Sequence, residues 1–216
     1  MHQILDIYRE LIKPEWIAAH GGLYIVMFII FAETGLFVGF FLPGDSLLFI
    51  TGVIIANSVS KFGNVGLDLL YWISIISAAG IIGNMVGYWY GNKFGHMLMK
   101  RPDSLLFKKK HIHQAHEFYE KKGGMAIFLA RFLPIVRTFA PIVGGMVDMK
   151  YKKFIYYNIL GCLAWVVSMI MAGYLLGENE WVKKNLELIV VGLILVTTGP
   201  VLFKMFFGKK KATPQA

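Results

Sequence analysis

Residues 123–145, GGMAIFLARFLPIVRTFAPIVGG, are apolar enough to lie in a bilayer, yet they hold Arg131, Arg137, Pro134, Pro141 and a closing Gly144–Gly145 pair. An unbroken spanning helix suits this stretch poorly. Proline removes a backbone donor and clashes with the preceding turn, and a guanidinium is costly in hydrocarbon. The stretch is better read as two short helices meeting at a bend and leaving on the side they entered, with Pro134, Pro141, Gly144 and Gly145 as the breakers. Such re-entrant backbone is tolerated only where protein or a water-filled cavity surrounds it. Arg131 and Arg137 flank Pro134 at three residues to either side, so both charges fall near the bend.

The rest of the chain supports a membrane setting. Of its 216 residues 56% are hydrophobic and only 16% are charged, well to the apolar side of soluble domains. We therefore expect a single all-α integral membrane domain. The net charge of +9 gathers in a few hydrophilic stretches, as cytoplasmic loops beside anionic lipid do, and it argues against a nucleic-acid partner. A lone cysteine, Cys162, excludes an intrachain disulfide and reads as a small core residue.

Within residues 1–20, Asp6, Arg9, Glu10, Lys13, Pro14 and Glu15 interrupt any continuous apolar signal, while Ile4, Leu5, Tyr8, Leu11 and Ile12 recur at helical spacing. This segment is expected to lie on the membrane surface as an amphipathic helix. Residues 23–56 are apolar on both sides of Leu42-Pro43-Gly44-Asp45 and carry Glu33, which suggests a second broken hairpin, this one bearing carboxylates. Residues 69–90 form a span in which Gly83 and Gly87 make a small-xxx-small pair. That pair is read as packing within one subunit, with homo-oligomer formation as the alternative. Asn84, between them, can hydrogen-bond across the helix interface.

Residues 91–122 form a basic insert, cytoplasmic by the positive-inside rule. His111, His113 and His116 within it invite a metal, but 111 and 113 face different sides of a helix and no cysteine accompanies them, so no metal or other cofactor is expected. The arginine hairpin, residues 124–147, is followed by spans at 154–176 and 186–207 and by a basic tail, 208–216. This order puts the C-terminus in the cytoplasm and the N-terminus outside. Trp165 is read as a packing or interface aromatic.

LPGDSLLFITG, residues 42–52, and LPIVRTFAPIVGG, residues 133–145, each follow a Phe, begin Leu-Pro and close on glycine, and each precedes a turn and a span. With the insert in the cytoplasm, the first hairpin opens outward and the second inward. That is an inverted repeat, an arrangement transporters use to build a site at the midplane. One tip then brings Glu33 and Asp45, the other Arg131 and Arg137. Four unpaired charges at mid-bilayer would cost on the order of 10 kcal/mol, at about 2.5–3.5 kcal/mol each, so pairing across the tips is expected, two against two.

Glu33 with the FLPGD run ending at Asp45, and the R-x-x-P-x-x-R core from Arg131 to Arg137, resemble the DedA family, which shares the VTT or SNARE-associated Golgi domain with eukaryotic lipid scramblases. The resemblance covers roughly residues 20–205. It implies a bacterial inner-membrane protein of lipid translocation and envelope integrity, with undecaprenyl phosphate as substrate and dependence on a proton or sodium gradient. The family's acidic pair maps onto Glu33 and Asp45, and its arginine pair onto Arg131 and Arg137. An arginine fork can hold two phosphate oxygens, which makes Arg131 and Arg137 the expected headgroup ligands and Glu33 and Asp45 the expected coupling groups. The alternatives are an H⁺- or Na⁺-coupled antiporter of ions or small molecules, a lipid phosphatase and a non-transporting scaffold. A phosphatase is disfavoured because all six histidines fall outside the assigned spans.

Overall fold

A computed structural model describes residues 17, 22–36, 44–57, 60–99, 123–185, 188, 189 and 192. Its elements are helices: α1 (Leu23–Gly35), α2 (Gly44–Asn57), α3 (Val65–Met99), α4 (Met125–Ala130), α5 (Pro134–Met146), α6 (Tyr151–Gly177) and α7 (Glu180–Lys184). There is no strand among the described residues. The surface helix expected in residues 1–20 lies outside the described residues except for Ile17, as do Pro43, residues 100–122 of the insert with their three histidines, the tail and nearly all of the span 186–207.

Two helices, Val65–Gly95 within α3 and Tyr151–Gly177, are long and apolar enough to cross a membrane, and α1 and α2 are shorter apolar helices. Helix α3 is longer than the 69–90 span expected. It runs on through Gly91 and Gly95, which had been assigned to the hydrophilic insert. The continuation has a packing cause: a side chain at position 91 or 95 would strike the backbone of Ile142 or Met146, so the glycines let α3 and α5 touch.

Close backbone approach recurs through the fold. Gly35 meets Gly83 where α1 crosses α3, Gly52 and Gly173 meet each other's helices where α2 lies on α6, and Gly145 meets Tyr88. Lipid tails are as apolar as leucine, so helices in a bilayer gain little from burying apolar surface, and van der Waals contact at such crossings takes its place. The Gly83–Gly87 pair is used within one chain, against Thr34 and Gly35 at one position and Pro141 and Ile142 at the other.

The arginine segment is broken, but only once. Helix α4 stops at Ala130, residues 131–133 form a turn, and Pro134 opens α5 from an extended Leu133 (φ −113°, ψ 106°). A proline forces its predecessor out of helical backbone and suits the first helical position itself. Pro141, Gly144 and Gly145 are not breakers, contrary to expectation, because all three lie inside α5. Pro141 packs beside Gly87, Gly144 beside Ile127, and Gly145 against the α3 backbone, so their smallness or shape serves helix contact. In the first broken segment, Gly44 opens α2.

Two buried apolar clusters result. One gathers Ile30, Leu47, Leu48, Ile76, Cys162 and Trp165 from α1, α2, α3 and α6. The other gathers Tyr88, Ile127, Ala130, Ala140 and Phe154 from α3 through α6. At the α2–α3 loop the Lys61 ammonium sits 4.6–5.5 Å from the ring centroids of Tyr24, Phe62, Tyr71 and Trp72 and donates to the Tyr24 hydroxyl at 2.9 Å. Asp68 accepts from the backbone N–H groups of Lys61 (3.0 Å) and Phe62 (3.2 Å), which fixes the loop beneath that cage.

Candidate functional site

The four charged residues singled out in the sequence come together among the ends of α1, α2, α4 and α5, and all are largely withdrawn from solvent. Glu33 is 2% exposed, Arg131 1% and Arg137 5%. Glu33 stands near the end of α1, Asp45 in the first turn of α2, Arg131 at the C-cap of α4 and Arg137 on the first turn of α5. Each thus belongs to a helix end beside a break. Chain breaks bring polar backbone and charged side chains into one place that an intact span would keep apart.

Arg137 holds both carboxylates. Its Nη1 donates to Asp45 Oδ1 at 2.5 Å, and its Nη2 makes an ion pair with Glu33 Oε1. Trp165 on α6 closes this cluster from a third side. Its indole Nε1 donates to the same Asp45 oxygen at 2.8 Å, and its ring lies 4.6 Å from the Arg137 guanidinium carbon. A cation over an indole face gains from the ring quadrupole, most of all away from water. Gly44 is required here for room, since a Cβ at that position would overlap the Glu33 carboxylate.

Arg131 is held differently, and the pairing of two arginines with two carboxylates is not what the structure contains. Among the described residues Arg131 has no carboxylate partner. Its Nη2 donates to Asn158 Oδ1 at 2.8 Å and to the Gly80 carbonyl at 3.3 Å. Its Nε and Nη1 are buried without a hydrogen-bond partner among the described residues, with the Cys162 thiol alongside. The reason is the single break: α4 ends at Arg131 facing α3 and α6, and the turn aims Arg137, six residues on, at α1 and α2.

Asn158 is the keystone of the Arg131 side. Its Oδ1 also accepts from Asn84 Nδ2 at 2.8 Å, and its own Nδ2 donates to the Ile81 carbonyl at 3.2 Å. Asn84 therefore does bond across a helix interface, from α3 to α6. Gly80 and Gly161 leave the space that the Arg131 side chain fills; a Cβ at Gly161 would stand 3.1 Å from Arg131 Cγ.

A VTT domain model matches residues 15–175, which covers every residue of this site. The chain is 41% identical over 204 residues to Protein DedA of Escherichia coli (strain K12), an alignment spanning 94% of this chain and 91% of that protein. The chain belongs to the DedA family of membrane proteins. It is also 34% identical over 205 residues to an uncharacterized membrane protein of Mycobacterium leprae, covering 95% of this chain and 89% of that one. Inner membrane protein YqjA of Escherichia coli (strain K12) is 31% identical over 201 residues, covering 92% and 85%. No solved structure is a significant match.

Two residues that touch the charged cluster of this DedA-family protein have more to do than the sequence reading gives them: Asn158, which it does not single out, and Trp165, which it reads as packing alone. A signal was present: Asn158, Gly161, Cys162 and Trp165 follow the i, i+3, i+4, i+7 spacing of one helix face. An amide on such a face, inside an otherwise apolar span, needs a partner.

Proposed function

We propose that this protein moves a lipid phosphate across the bacterial inner membrane, with undecaprenyl phosphate or a related polyprenyl phosphate as cargo, and that it moves the lipid without modifying it chemically. The observation that carries the reading is the buried pair of arginines in unequal states, Arg137 neutralised by two carboxylates and Arg131 left with two open donors. A phosphate is the natural complement to such donors, since charge-assisted hydrogen bonds to an arginine fork can be made in pairs.

The two broken segments act as opposed re-entrant hairpins in an inverted repeat, each giving the site access to one leaflet in turn. Exposures of 1% and 5% for the arginines correspond to the closed state between those openings. An arriving headgroup takes the donors of Arg131 first and then competes for Arg137. Glu33 or Asp45, released from Arg137, takes up a proton and keeps the charge of the buried site nearly constant. Proton entry from the side of higher proton activity then couples lipid movement to the gradient, while the prenyl tail stays in the bilayer.

Reconstitution into liposomes tests this. Labelled undecaprenyl phosphate should change leaflet faster with protein than without, and faster still with an imposed pH gradient, while phosphatidylethanolamine should not. A Glu33→Gln protein that still moves the lipid with an unchanged response to the gradient would refute the coupling step. Equal movement of both lipids would refute the preference for a phosphate monoester over the zwitterionic phosphodiester.

A further inference from the structure

We infer that Asn158 is a positioning residue that keeps Arg131 available to an anion, by giving the guanidinium a neutral acceptor in place of a carboxylate. The inference rests on the lipid-phosphate reading and sharpens it by assigning headgroup affinity to a residue that touches no substrate.

The geometry has three parts. First, a buried guanidinium needs acceptors, and the amide oxygen of Asn158 supplies one at 2.8 Å to Nη2 alone. Second, Asn158 is itself fixed: it is fully buried, Asn84 donates to the same oxygen, and its Nδ2 is tied to the Ile81 carbonyl. The acceptor cannot turn away, and the arginine is anchored at one end of its fork. Third, the other end, Nε and Nη1, stays without a partner among the described residues.

A carboxylate at position 158 would reach the same nitrogen and add charge, holding Arg131 much as Asp45 and Glu33 hold Arg137. The cation would then be satisfied before any phosphate arrived. An apolar residue would err the other way, leaving Asn84 Nδ2 without its acceptor and Nη2 with the Gly80 carbonyl alone. An amide in this place meets both demands, holding the cation in position and leaving its charge uncancelled.

The experiment is binding of radiolabelled undecaprenyl phosphate to the full-length protein in detergent micelles, with uncharged undecaprenol as the control. Asn158→Asp, isosteric with the native side chain, should weaken binding of the phosphate about tenfold or more and leave undecaprenol unchanged. Asn158→Ser, which withdraws the acceptor without adding charge, should weaken it by less, about threefold. In an Arg131→Gln background, Asn158→Asp should cause no further loss, because it acts through Arg131. A merely structural asparagine would instead lower affinity equally in both backgrounds, which would overturn the inference. So would wild-type affinity in both Asn158→Asp and Asn158→Ser. If the wild-type protein bound undecaprenol as tightly as the phosphate, the lipid-phosphate reading would fall, and the inference with it.

Discussion

Arg131 and Arg137 stand on opposite sides of one turn, similarly buried, and are held in opposite ways. Arg137 lies between two carboxylates under the Trp165 ring, so its charge is more than matched at close range. Arg131 has an amide and a backbone carbonyl, and its guanidinium carbon lies farther from the Trp165 ring centroid, 5.8 Å against 4.6 Å. The comparison separates two jobs that sequence symmetry around Pro134 would merge. Arg137 joins α1 and α2 to α5 and makes the burial of Glu33 and Asp45 tolerable. On the reading proposed above, Arg131 is the cation left for the lipid phosphate.

The most damaging single change should be Arg137→Gln, which leaves two carboxylates buried against each other. Removing one partner from a buried ion pair costs about 3–5 kcal/mol, so thermal unfolding in detergent should show a loss of that order. The triple variant Glu33→Gln, Asp45→Asn, Arg137→Gln should regain most of this stability while failing to move lipid. A triple variant as unstable as the single one would show that charge pairing is not what holds these helix ends together.

Next in size is Trp165→Phe, which keeps a ring over the guanidinium and deletes the hydrogen bond to Asp45. A hydrogen bond to a charged group contributes about 1.5–3 kcal/mol, and the same melting experiment should register a loss near the lower end, because Asp45 retains Arg137. The smallest change in stability is expected for Arg131→Gln, within about 1 kcal/mol of wild type: it relieves a poorly satisfied buried cation, and Asn158 still accepts from Asn84. Lipid-phosphate binding, in contrast, should weaken at least as much as in Asn158→Asp while staying measurable. Were Arg131→Gln to unfold the protein as Arg137→Gln does, the division of labour between the two arginines would be wrong.

The break at Pro134 and the need for polar company around Arg131 and Arg137 were legible in the sequence, because both follow from what single residues do to a helix in hydrocarbon. The partner of each arginine was not. Equal spacing about a proline says nothing of direction, and direction is set by a three-residue turn whose exit depends on how α5 packs on α3. For the same reason Pro141, Gly144 and Gly145 looked like punctuation. A proline within a helix and a glycine at a helix crossing have the same composition as a broken segment, and only what lies against them, Gly87 for Pro141 and the Tyr88 backbone for Gly145, separates the cases. Asn158 and Trp165 lie in a span defined by its apolarity, and nothing in a neutral amide or an indole marks it in sequence as a partner of the charges its hydrogen bonds organise.

The indole of Trp165 touches both halves of this site, donating to Asp45 and lying over Arg137, with Arg131 within 5.8 Å of its ring. The chain has five tryptophans. A version retaining only the one at position 165 would carry its own optical gauge: any event that withdraws a guanidinium from the ring changes the field at the fluorophore. The colour and lifetime of its emission would then report, without added dye, each departure of the cluster from its resting arrangement.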